Sequence, residues 1–199
     1  KFPQPARIDL LLRAHHRTGD DEFVAIAEET LDAMATRGMY DHLGGGFHRY
    51  ATDREWAVPH FEKMLYDNAT LPRAYLAGFQ VTGKDRYATA VAETLDFVDR
   101  ELTHPDGGFY STLDAQSERN GEREEGAFYV WTPDEVRAAV DGDLAADLFC
   151  DRYGVTEAGN FEGRTVLGIT ESVSDLAAAY DLDPGTVRET LEEAREAAF

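Results

Sequence analysis

Cysteine is nearly absent from this 199-residue chain: Cys150 stands alone. An intrachain disulfide and a zinc–thiolate site are thereby excluded. Within the helical stretch Leu144–Tyr153, Cys150 reads as a small buried hydrophobe. Lysine is scarce as well, with only Lys1, Lys63 and Lys84. Nineteen basic residues face thirty-nine acidic ones, a formal net charge of -20. Polyphosphate binding needs a basic face, so nucleic acid is excluded as a partner. No apolar run approaches the ~20 residues that span a bilayer, and no membrane partner is expected. The acidic residues are spread along the whole chain rather than gathered into a patch for a basic partner. Such self-repulsion is largely screened when the Debye length falls to about 3 Å near 1 M salt. The expected setting is a salt-adapted cytoplasm.

What is present is a core. With 43% apolar and 11% aromatic residues the chain can bury a hydrophobic interior. It opens on Lys1-Phe2-Pro3, which reads as the middle of a longer protein. Helical spacing dominates. Ile8, Leu11, Leu12 and His15 share one face, and Phe23, Ile26, Ala27, Leu31 and Met34 stripe a second segment. A third helix is expected over about Phe61–Val81, with Pro72 placed to kink or break it. Others are expected at about Asp85–Leu102, Pro133–Val140, Leu144–Tyr153, Val173–Tyr180 and Pro184–Ala198. Thr132-Pro133-Asp134-Glu135 carries a start signal, with threonine as cap, proline at the first position and glutamate at the third.

Two connections, Met39–His60 and Thr103–Trp131, are too long for ordinary helix–helix loops. Each opens on glycines before an aromatic, Gly44-Gly45-Gly46-Phe47 and Asp106-Gly107-Gly108-Phe109. Each returns on a second aromatic stretch, Trp56-Ala57-Val58-Pro59 or Phe128-Tyr129-Val130-Trp131. Both read as β-hairpins hung between helices, a weak repeat that suits stacked helical hairpins. A further strand is expected within Asn160–Ile169.

The chemistry gathers in the first connection. His42, His48 and His60 fall within it, and Arg49, Asp53, Glu62, Tyr66 and Asp67 lie nearby. Imidazole, guanidinium, carboxylate and phenol together are the equipment of acid/base chemistry on a polar substrate. His48, His60 and Glu62 are the candidate catalytic residues. Arg49, Trp56, Tyr66, Asp67 and Asp114 are the candidate substrate-binding residues, with Trp56 able to stack on a sugar ring. Each also has a plainer reading: a histidine among aromatics packs, Glu62 beside Lys63 is a surface carboxylate, and Trp56 belongs to the core. The acidic run from Asp114 through Glu118, Glu122, Glu124 and Glu125 reads as solvated surface, with Asp114 the exception. His60 and Glu62 stand at i, i+2, which does not converge on one helical face, so no metal is expected. No cofactor is expected either, since Gly44-Gly45-Gly46 lacks the lysine and hydroxyl of a phosphate loop.

The run Gly44–Tyr50, followed by Trp56-Ala57-Val58-Pro59-His60-Phe61-Glu62-Lys63-Met64-Leu65-Tyr66-Asp67-Asn68-Ala69, resembles the signature of the YyaL-type, spermatogenesis-associated thioredoxin-domain proteins. Asp106–Ser111, Leu113-Asp114-Ala115, Glu125–Trp131 and Gly159–Gly163 resemble later motifs of that family. The resemblance covers roughly residues 1–170. It implies a mostly α fold, part of one α/α toroid of the six-hairpin glycosidase type, truncated at both ends, with short β-hairpins in the long loops. It also implies a thioredoxin-like domain that is absent from this chain. Gln116 departs from the family pattern at a position where a carboxylate is expected. The implied function is carbohydrate-active or carbohydrate-binding, on a small sugar, with epimerase-like acid/base chemistry favoured over glycosidase-like hydrolysis. The alternative is a non-catalytic scaffold that partners the thioredoxin-like domain of the same full-length protein.

Overall fold

Amphipathic periodicity becomes eight α-helices among the described residues. The structure, a computed structural model, describes residues 1–119 and 121–199. The chain divides into two units, Lys1–Gly126 and Ala127–Phe199. The first unit holds α1 (Pro5–Thr18), α2 (Glu22–Thr36), α3 (Leu65–Thr82) and α4 (Asp85–Glu101). Helix α1 packs on α2 and α3, and α3 forms a close hairpin with α4. Ile8, Leu12, Leu31, Met34, Phe47 and Tyr75 share one core, each worth roughly 1.5–3 kcal/mol of burial. The Tyr75 hydroxyl enters that core because it donates to the Leu31 carbonyl at 2.9 Å.

Pro72 sits buried inside α3, and the helix runs on to Thr82 rather than breaking. A mid-helix proline costs about 3 kcal/mol, which the packing of α3 against both α1 and α4 offsets. Helix α3 also starts later than its periodicity suggests. Phe61–Met64 stays extended because Lys63 and Met64 are used in a strand pair.

The long connections carry that pairing. Strands β1 (Tyr50–Ala51) and β2 (Pro59–His60) are antiparallel, with Tyr50 opposite His60. A hairpin is expected from the first connection, but with Phe47–Tyr50 against Trp56–Pro59; the observed register is shifted and leaves Trp56 in the turn. The second connection behaves differently. Its β4 (Thr103–His104) pairs with β5 (Gly108–Phe109), and β7 (Gln116–Arg119) pairs with β8 (Glu122–Glu125). Between them, β6 (Thr112–Leu113) reaches back to β3 (Lys63–Met64) and joins the two connections. Among the described residues the strands form separate two-stranded pairs, with no larger sheet.

The second unit contains β9 (Val130–Trp131), α5 (Pro133–Ala139), α6 (Asp143–Tyr153), β10 (Thr165–Val166), α7 (Val173–Tyr180) and α8 (Pro184–Ala198). The expected return of Phe128–Trp131 onto Phe109–Thr112 does not occur, because β9 pairs with β10. Of the Asn160–Ile169 stretch only Thr165 and Val166 form a strand, since the Asn160 amide binds both backbone groups of Val166 and bends the chain there. Thr132 and Glu135 form the expected reciprocal cap of α5. Leu148, Leu176, Val187 and Leu191 make this unit's own core. Cys150 is buried, and burial pushes its thiol pKa up. No helix among the described residues is long and apolar enough to cross a membrane.

Candidate functional site

The glycines of the first connection are needed where the chain touches α4. Gly46 has φ +80°, and a Cβ there would fall 2.5 Å from the Phe97 ring. The turn is then tied to α3. Phe47 N donates to the Asn68 side chain at 2.6 Å, and Asn68 Nδ2 donates back to Phe47 O at 3.0 Å. Beneath it lies a buried ion pair. Lys63, only 1% exposed, donates from Nζ to Asp41 Oδ2 at 2.6 Å and to Gly45 O at 2.8 Å. The other Asp41 oxygen accepts from Leu43 N and Gly44 N. Burial alone would raise the Asp41 pKa, but Lys63 overrides it and holds the carboxyl at about 2.

His48 belongs to this buried layer. It is 2% exposed, and its Nδ1 lies 3.1 Å from the Phe61 carbonyl, to which it donates. Burial, reinforced by the Lys63 charge, lowers its pKa to about 3. A neutral, enclosed imidazole is a packing group. His42 is also buried, with Nε2 3.2 Å from Arg37 O.

The remaining polar residues gather one layer out. Pro59 and His60 leave the hairpin, Arg49 N donates to Glu62 O at 2.9 Å, and the two side chains meet as Arg49 Nη1 reaches Glu62 Oε2 at 2.9 Å. Thr112, delivered by the β3–β6 pair, donates to the other Glu62 oxygen at 3.1 Å. His60 Nε2 is 3.6 Å from Glu62, and its Nδ1 is 2.8 Å from Glu125 Oε1. The imidazole stacks on Tyr50, with ring centres 5.0 Å apart. Tyr66, half exposed, interacts with both Arg49 and Asp67.

Asp67 is the anomaly in this cluster. It stands in the first turn of α3, is 5% exposed, and its Oδ2 has no hydrogen-bond partner among the described residues. Arg49 Nε is likewise buried and without a hydrogen-bond partner among the described residues. Burial pushes the Asp67 pKa up to about 6, with the Arg49 charge opposing the shift only in part. This is a carboxyl able to hold and release a proton near neutral pH.

Of the residues singled out in sequence, Arg49, His60, Glu62, Tyr66 and Asp67 come together. His48 does not. Trp56 lies in the hydrophobic core at 8% exposure, so no ring face is left for a ligand. The turn explains it: Asp53 accepts from Glu55 N, Ala57 N and Val58 N, and the tight loop turns Trp56 (φ +64°) inward. Asp114 is exposed and paired with Arg123 at 2.6 Å. The second connection contributes Thr112 and Glu125 instead. Glu125 hid within the acidic run, and the glycine that follows it was the sequence signal marking a fixed backbone.

The chain is 40% identical to Spermatogenesis-associated protein 20 of Homo sapiens and 39% identical to that of Mus musculus. Both matches cover all of this chain and 28% of the relative, so the chain spans less than a third of those proteins. An uncharacterised protein of Caenorhabditis elegans is 29% identical over 98% of the chain. No protein-family model matches. Among solved structures, a D-mannose isomerase superimposes with a TM-score of 0.47 at 22% identity, over 57% of this chain and 30% of that one.

Proposed function

We propose, from the premise that the chain belongs with the spermatogenesis-associated proteins, that this segment carries a carbohydrate-active site performing epimerase- or isomerase-like proton transfer. The observation that carries the reading is Asp67, a buried carboxyl with one unpartnered oxygen and a pKa raised to about 6. A group so tuned serves acid/base catalysis and is costly for packing alone. The role first given to His48 passes to Asp67, because burial and the Lys63 charge lower the His48 pKa to about 3 and leave it no proton to give near neutral pH. Asp67 gives a proton to the sugar carbonyl oxygen while His60 takes one from the neighbouring carbon. The C–H electron pair becomes the double bond of an enediol, and reprotonation on carbon completes the exchange. Arg49 and Tyr66 orient hydroxyl groups, and Glu62 holds Arg49 and Thr112 in place.

The charge around the site favours an unphosphorylated sugar. Arg49 is tied to Glu62 and Lys63 to Asp41, so neither offers its charge to a phosphate. We assign this segment to an α/α toroid, in a salt-rich cytoplasm suited to a net charge of -20.

A second reading has its own support. Glu62 is already held by Arg49 and Thr112 and flanked by His60, a closed arrangement that would equally serve a scaffold for a thioredoxin-like domain. One experiment separates them. The full-length protein is incubated in D2O with free aldoses and ketoses, and deuterium entry beside the carbonyl is followed by NMR. The catalytic reading expects exchange in at least one sugar and its loss in Asp67→Asn. No exchange in any sugar leaves the scaffold.

A further inference from the structure

Strand β8 is exposed at all four of its residues, yet its last residue makes a specific contact with the candidate site. Glu125 ends β8, and its neighbour Gly126 fixes the backbone there. Gly126 N donates to the buried Ala115 carbonyl at 2.9 Å. Gly126 also has φ +70°, and a Cβ on it would lie 2.4 Å from the Phe61 ring. Only glycine allows so close an approach. Phe61 lies next to both His60 and Glu62 in the chain, so the end of the hairpin is locked against the segment that carries the site. From that anchor Glu125 Oε1 meets His60 Nδ1 at 2.8 Å.

We propose that Glu125 is a positioning residue for His60, holding the proton on Nδ1 so that Nε2 is presented to the substrate on the side of Glu62. This rests on the proton-transfer reading of the same site. A carboxylate can only accept here, so the bond requires Nδ1–H and leaves the neutral ring's lone pair on Nε2. Stacking on Tyr50 fixes the ring plane, while Glu125 fixes its rotation and tautomer. Both restraints are needed, because His60 stands in a two-residue strand with part of its ring in solvent.

The test uses the full-length protein with histidine ring nitrogens labelled and His60 assigned by loss of its signals in His60→Gln. Wild type should show His60 in the Nδ1–H form. Glu125→Gln, whose amide can also donate, should shift the population toward Nε2–H, and Glu125→Asp should restore part of the Nδ1–H form. With a sugar that wild type turns over, Glu125→Gln should lower kcat by about ten- to a hundredfold, within the usual range for acid/base groups, with KM nearly unchanged. An unchanged tautomer in Glu125→Gln overturns the assignment, as does a loss expressed only in KM. If the tautomer responds as expected but no sugar exchanges in wild type, the proton-transfer reading is what fails, and the positioning role in catalysis falls with it.

Discussion

Two carboxyl groups on the same stretch of chain behave in opposite ways. Asp41 and Asp67 are both buried, and each lies near a cation, Lys63 or Arg49. Asp41 is held at about 2 and Asp67 is pushed to about 6. Partners make the difference. Asp41 has both oxygens engaged, one by the Lys63 ammonium and one by two backbone N–H groups. Asp67 keeps a bare oxygen, and its cation is already committed to Glu62. Burial destabilises a carboxylate in both places, and only a complete set of donors reverses it. The first arrangement stabilises the fold. The second raises the carboxyl's proton affinity, on which the proposed function draws.

The comparison breaks most visibly at Lys63. Lys63→Met should destabilise the protein by about 3–5 kcal/mol, because it leaves Asp41 buried and unpaired. The double variant with Asp41→Asn should recover part of that loss in denaturant titration. No destabilisation by the single change would mean the pair is not closed as described.

Asp67 should show the reverse sign. Its folded pKa lies above the unfolded value of 3.8, so folding is least penalised when the carboxyl is protonated. The penalty appears as pH rises from about 4 and is complete above about 6. Asp67→Asn should therefore stabilise the protein at pH 8 by up to about 3 kcal/mol, the free-energy equivalent of the shift, and change little at pH 4. Equal stability of wild type and variant across that range would sink the proton-storing role.

The smallest effect is expected at Asp114. Its ion pair with Arg123 has both side chains mostly in solvent, where such pairs contribute little. Asp114→Asn should leave the melting temperature within error of wild type, and a clear drop would show that the β7–β8 hairpin depends on that pair.

Much of this was legible in the residues. The bounds of α7 and α8 coincide with those expected from periodicity, and both helices begin behind side-chain caps, Ser172 and Asp183. The meeting of Glu62 with Arg49 and His60 also follows from local chain reversal, since the Tyr50–His60 register brings 49 and 62 together. The fates of His48 and Trp56 were not legible, because a histidine or tryptophan in a loop reads the same whether it faces core or solvent. Nor was the contact of Glu125 with His60, since only the following Gly126 sets Glu125 apart from its exposed neighbours Glu122 and Glu124 and says nothing of a partner 65 residues away.

By itself the sequence determined the helices, the long glycine-opened connections and the residue types gathered between them. These depend on spacings of a few residues, and the physics of helix faces, caps and turns acts over that range. Only the tertiary structure decided that β6 would pair with β3, that Glu125 would reach His60, and that burial would lower the His48 pKa while raising that of Asp67. Such outcomes depend on groups brought together from distant parts of the chain. A carboxyl's proton affinity is set by the donors and solvent left around it after packing, which no local pattern specifies.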